Sequence, residues 1–281
     1  MTYKAIVLDL DGTTLTEFNT VNNTLNEYVK ELRKRGLLVF IATGRTLKEA
    51  RDVLPSDFHV DGTVTANGMS AFLGEDQISG HALPSDLVEK LAVKAGEWGI
   101  YYEIHPNDGG RIALKTDRPF MTKVATEPKP ETVHENEWLS RQEAVQSKIH
   151  WTDELQTENV AKIYFFSRDQ QAMEQWKAEL EQVKERIAFT TASSTHHNVE
   201  VTVDGVSKAT GIIQLLDRFG LKKEEIMAIG DGENDLPLFK LVGHCVAMKN
   251  ATGFVKEQAD EVTEYSYKED GLYHFLKKTF G

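Results

Sequence analysis

The sequence predicts an α/β fold, a doubly wound and mostly parallel sheet core of the Rossmann kind with a separate α+β unit inserted into it. Two observations carry the core. Short apolar runs at positions 5–10, interrupted only by Asp9, and 37–42 each end in polar residues, as strands buried on both faces do. Between them Leu25, Tyr28, Val29 and Leu32 recur at helical spacing, with Gly36 placed as a C-terminal cap. A third observation marks the insertion, a change of texture between about positions 83 and 190.

In order, the strand at 5–10 delivers Asp9 and Asp11 at its C-terminal end before the breaker Gly12, and the strand at 37–42 leads to Thr43-Gly44-Arg45. Leu47, Ala50 and Val53 fit a second helix, and 62–66 a further strand. Inside the insertion, 86–98 and 170–186 read as helices, and 100–104, 112–115 and 160–166 as strands. The stretch 117–129, flanked by Pro119, Pro128 and Pro130, reads as a loop. The βα pattern then resumes: Ile212, Leu215, Leu216 and Phe219 on a helix, strands at 226–229 and 246–248, and a helix at 236–241. The expected domains are residues 1–82 with 191–281, and 83–190.

Composition narrows the function classes. Of 281 residues, 40% are hydrophobic and 27% charged, enough apolar material for a sizeable core. A net charge of −12 argues against a nucleic-acid partner, which calls for a basic patch. No apolar run reaches membrane-spanning length and the start of the chain lacks a signal peptide, so the expected location is cytoplasmic with no membrane partner. The single cysteine, Cys245, lies in an apolar run and reads as a buried structural thiol.

Four groups of residues carry chemistry. Asp9 and Asp11, two apart at the end of a strand, fall on one side of an extended chain and suit metal sharing or a division of nucleophile and acid/base roles; a turn with two solvated aspartates fits the same letters. Gly230-Asp231-Gly232-Glu233-Asn234-Asp235 offers hard oxygen ligands for Mg²⁺ on a glycine-loosened loop, or alternatively a solvated helix start. Thr43-Gly44-Arg45 places a hydroxyl and backbone N–H groups before a helix, where a phosphate or a plain cap fits. Lys208, after Ser207, puts an ammonium at a helix's positive end, a conflict that a bound anion removes. Tyr101, Tyr102, Glu103 and His105 form a polar and aromatic cluster that suits a sugar or base, or one face of a strand in the insertion's own sheet. His196-His197 read as an exposed turn, and Trp138 and Trp151 as packing residues.

Together the four groups resemble the haloacid dehalogenase-like hydrolase superfamily, with Asp9-Leu10-Asp11-Gly12-Thr13, Thr43, Lys208 and Gly230-Asp231 through Asn234-Asp235 in the family's order. The long insertion, Asn67-Gly68, Val206-Ser207-Lys208 and the run Val246-Ala247-Met248-Lys249-Asn250-Ala251 resemble the Cof-type phosphatases with a large α/β cap; Lys249 and Asp204 depart from the usual pattern. The resemblance implies a nucleophile at Asp9, an acid/base at Asp11, and Mg²⁺ held by the Asp9 carboxylate, the Asp11 carbonyl and Asp231, with Asp235 a ligand or its neighbour. It implies that the Leu10 N–H, Thr43, Gly44, Lys208 and Asn234 hold the phosphoryl oxygens, and that the cap at 83–190 selects the substrate. The expected activity is Mg²⁺-dependent hydrolysis of a small phosphorylated metabolite, a sugar phosphate by family, in a monomer or homodimer. A phosphomutase and a non-catalytic phospho-ligand binding protein are the competing readings.

Overall fold

The computed structural model describes residues 3–107, 109–126 and 128–281. They fall into two units, one made of the chain up to Gly80 together with Val206–Gly281, the other of His81–Gly205.

The first unit opens with β1 (Ala5–Leu8), α1 (Asn23–Lys34), β2 (Leu38–Ala42), α2 (Leu47–Val53), β3 (Gly62–Thr65), β4 (Ser70–Leu73) and β5 (Asp76–Gly80). The inserted unit follows: α3 (Ser85–Trp98), β6 (Tyr101–Pro106), β7 (Arg111–Leu114), α4 (Arg118–Thr126), α5 (Glu135–Glu143), β8 (Ile149–Thr152), β9 (Val160–Phe166), α6 (Gln170–Lys184), β10 (Phe189–Ala192) and β11 (Asn198–Val203). The first unit resumes with α7 (Lys208–Phe219), β12 (Ile226–Gly230), α8 (Leu236–Phe239), β13 (His244–Ala247), α9 (Gly253–Glu257), β14 (Glu261–Val262) and α10 (Gly271–Phe280).

The first unit's sheet runs β14-β13-β12-β1-β2-β3-β4-β5. It is parallel from β14 to β3, and β4 and β5 close it as an antiparallel edge. All four residues of β1 are buried, as expected for a central strand covered on both faces. Apolar residues of α1 and α10 pack on one face and those of α7 and α8 on the other. Local signals set the helix starts: Asn22 caps α1, and Thr46 with Glu49 forms a capping box on α2. The register Leu8↔Ile41 and Leu8↔Ile229 sends Asp9, Thr43 and Asp231 out at the same, carboxyl, edge of the sheet.

The inserted unit's sheet runs β10-β11-β9-β6-β7-β8 and is antiparallel except for β7 with β8. Its core gathers Leu87, Leu91, Tyr102, Ile163, Phe165 and Trp176, and Trp138 is also buried. Three expectations are corrected here. The insertion ends at Gly205 rather than 190, because β11 pairs with β9 (Val199↔Phe165) and β10 with β11. Residues 117–129 contain a helix, α4: Pro119 sits in its first turn, where a missing N–H costs nothing, and Met121 and Ala125 bury one face. His197 is buried, its Nδ1 2.8 Å from the Ser167 carbonyl and its Nε2 2.9 Å from Thr132 Oγ1, while His196 stays exposed.

Candidate active site

Asp9 follows β1 directly, its N–H donating to the Ile229 carbonyl at 3.0 Å. The chain then winds tightly: Thr14 Oγ1 donates to the Asp9 carbonyl at 2.5 Å and the Leu15 N–H to the Leu10 carbonyl at 2.9 Å. Gly12 turns with φ +72°, and a Cβ there would lie 2.0 Å from Asp231 Oδ2. Gly12→Ala therefore combines left-handed strain with displacement of Asp231. It is expected to cut turnover about 10²-fold, the scale of an ångström-sized misplacement, with the far-UV spectrum unchanged. Steady-state kinetics on the purified variant checks this.

Lys208 opens α7 behind its Ser207 cap and is fully buried. Its Nζ donates to Asp9 Oδ1 at 2.6 Å and to Asp235 Oδ1 at 2.7 Å, which resolves the conflict of an ammonium at a helix N-terminus. Asp235 in turn accepts from the Asp231 and Gly232 N–H groups through Oδ2, both at 3.0 Å, so one carboxylate shapes the loop and positions the lysine. One carboxylate oxygen from each of Asp9, Asp231 and Asp235 lies within 4.8 Å of the others.

Three carboxylates around one ammonium leave the cluster over-negative. Burial, against the pull of Lys208 and with the push of Asp235 and Asp11, raises Asp9 to about 7. Burial, Asp9 and Asp235 raise Asp231 well above the usual carboxylate range. Lys208 is held charged against burial by Asp235 and Asp9. Converging hard oxygens with surplus negative charge are the donor set that a divalent cation such as Mg²⁺ fits.

Asp11 takes a different partner. Its carboxylate accepts from Arg45 Nε at 2.9 Å and Nη2 at 2.7 Å, and the same Nη2 reaches Asn19 Oδ1 at 2.9 Å. Burial works to raise Asp11, but Arg45 outweighs it and holds the carboxyl below its usual value. The Asp11 side chain is thus outside the carboxylate triad. Arg45 supplies charge to Asp11 and also ties the loop, its carbonyl accepting from the Ala66 N–H at 2.7 Å.

Thr43 is buried, its Oγ1 accepting the Arg45 N–H at 3.1 Å and its carbonyl the Asn67 N–H at 2.9 Å; Gly44 lies between these anchors. Ala66, Asn67 and Gly68 all have positive φ, a strained turn that brings Asn67 Oδ1 within 3.1 Å of Asn234 Nδ2. The structure therefore brings Asp9, Leu10, Asp11, Thr43, Gly44, Lys208, Asp231, Asn234 and Asp235 to one sheet edge. Sequence reasoning gave no role to Asn19, Asn67 and Asn250, although Asn67-Gly68 and the run around Asn250 carried part of the resemblance. Cys245 is buried as expected, its thiol pushed up to about 11 by burial, with Sγ 3.3 Å from Asp260 Oδ2.

A parallel sheet whose carboxyl edge holds a buried lysine among aspartates makes this a Rossmann-like α/β protein with a site suited to an anion and a cation. The chain belongs to the haloacid dehalogenase-like hydrolase family, which it matches over residues 6–276, and it is a phosphatase of that family. It is 28% identical over 282 residues to the 5-amino-6-(5-phospho-D-ribitylamino)uracil phosphatase YwtE of Bacillus subtilis, covering 97% of this chain and 96% of that one. A haloacid dehalogenase-like hydrolase structure from B. subtilis superposes with a TM-score of 0.81 at 22% identity, over 98% of this chain and 99% of that one. The structure of BT4131, a subclass IIB sugar phosphatase, does so with a TM-score of 0.70 at 24% identity over 98% of each.

Proposed function

We propose that this phosphatase is a Mg²⁺-dependent phosphomonoesterase of small metabolites that works through an aspartyl-phosphate on Asp9. The observation that carries the reading is the buried Lys208 bridging Asp9 and Asp235 beside Asp231. A nucleophilic carboxylate must approach an anion, and Lys208 with a cation offsets that repulsion. Asp9, Asp231 and the Asp11 carbonyl would hold Mg²⁺, with Asp235 as their neighbour; the ion supplies charge neutralisation for the phosphoryl oxygens.

Asp9 attacks phosphorus and the bond to the leaving oxygen breaks. Asp11 gives that oxygen a proton, then takes one from the water that attacks phosphorus and frees Asp9. The Arg45 pairing favours the ionised, base form of Asp11. For the donor step Asp11 exchanges Arg45 for the leaving group. The Leu10 N–H, Thr43, Gly44 and Asn234 hold the transferring oxygens.

Sugar phosphates are the substrate class, in keeping with the phosphoribityl group in the name of the B. subtilis relative. We place the enzyme in the cytoplasm; among the described residues no helix is long and apolar enough to cross a membrane. A panel of phosphorylated metabolites that includes the relative's phosphoribityl compound, assayed with Mg²⁺ and with EDTA, tests the reading. Phosphate release only with Mg²⁺ is expected. An isomerised sugar phosphate in place of free phosphate would make the protein a mutase, and binding without turnover a phospho-ligand binding module.

A further inference from the structure

Asn250 lies outside the residues assigned to chemistry, yet its carboxamide joins two of their loops. It follows β13 in a loop tied on both sides: the Met248 N–H donates to the Gly230 carbonyl at 2.9 Å and the Lys249 N–H to Thr263 Oγ1 at 2.9 Å. Asn250 Nδ2 donates to Asp231 Oδ2 and to the Gly12 carbonyl, each at 2.9 Å, while Oδ1 accepts the Tyr267 N–H at 3.1 Å. Two acceptors on one side and an N–H on the other leave a single sensible orientation of the amide.

The consequences fall on both loops. With Oδ2 engaged by Asn250, Asp231 has its other oxygen left to face a cation. The bond to the Gly12 carbonyl fixes the turn that carries Asp11. Without it, Asp231 sits among like charges from Asp9 and Asp235, with no other neutral side-chain donor on its carboxylate among the described residues. Partners that orient a metal-binding side chain raise affinity by preorganising it. We infer that Asn250 is a positioning residue for the divalent cation, clamping Asp231 and the Gly12 turn into the arrangement that receives it. This rests on the Mg²⁺ reading above.

The test is titration calorimetry of Mg²⁺ and Mn²⁺ into the metal-stripped full chain, for wild type, Asn250→Ala and Asn250→Ser, alongside the melting temperature of each metal-free protein. Asn250→Ala should weaken binding about 10–100-fold, the usual cost of losing an outer-shell partner, with Asn250→Ser between it and wild type. At saturating metal, kcat should recover to within a few-fold, separating metal affinity from chemistry. Wild-type affinity in both variants, with or without a lowered metal-free melting temperature, overturns the inference and makes Asn250 a structural tie. Failure of both variants to fold does the same. A wild-type protein that takes up neither ion removes the metal reading and the inference with it.

Discussion

Asp9→Asn is expected to reduce phosphate release by on the order of 10⁴-fold or more, since an amide is no nucleophile toward phosphorus and loss of a covalent catalyst is rarely compensated. The fold should survive. Asparagine keeps the shape and leaves an oxygen for the Lys208 ammonium, and Lys208 retains Asp235 at 2.7 Å, so no buried charge is stranded. Removing one of three crowded carboxylates also relieves the repulsion that raises Asp231. The metal-free melting temperature of the variant should equal or exceed that of the wild type. Phosphate-release assays, a melting curve and acid-quench trapping of labelled phosphoenzyme form the set of measurements. Turnover above a hundredth of wild type, or a label trapped on the variant, would remove Asp9 from the nucleophile's place.

Much of this site is legible in the sequence because its signals are local. Asp9, Thr43 and Asp231 each follow a short apolar strand directly, and Lys208 follows a capping serine at a helix start. Such junctions of strand, turn and helix depend on neighbours along the chain. What the sequence hides is the choice of partner. Arg45 is 34 residues from Asp11 and Asn250 is 238 from Gly12, and only closure of the sheet brings them together. The burial of His197 is hidden for the same reason, its partners Ser167 and Thr132 lying 30 and 65 residues away. The loop expected over 117–129 gives way to α4 because Pro119 falls in the helix's first turn, where it is tolerated, and not in the interior, where it would end the helix.

Glu103→Ala is expected to destabilise the inserted unit by about 3–5 kcal/mol, chiefly through the buried Arg141 charge that loses its carboxylate rather than through the contacts it deletes. Of the sequence's two readings for the cluster at 101–105, the sheet face is the one found: Tyr101, Glu103 and His105 point one way from β6 and are buried. Glu103 Oε1 accepts from Tyr101 at 2.5 Å and from Arg141 Nη1 at 2.7 Å, while Oε2 lies 3.1 Å from His105 Nε2 and 3.2 Å from Arg111 Nη1. Burial alone would raise this carboxyl, but Arg111 and Arg141 outweigh it and hold it well below the usual range. A depressed pKa contributes stability that is complete above the unfolded value of about 4.3 and fades as pH falls toward the folded one. The wild-type inserted unit should therefore lose stability below about pH 4, and Glu103→Gln, which cannot ionise, should lose less over the same interval. At neutral pH the alanine variant's melting temperature should fall by on the order of 10–20 °C. Thermal melts from pH 7 to 3, with hydrogen exchange to assign the transition to residues 81–205, read both effects. If Glu103→Ala melts within two or three degrees of wild type at about pH 7, Arg141 reaches solvent or another partner and its pairing with Glu103 is not what holds β6 to α5.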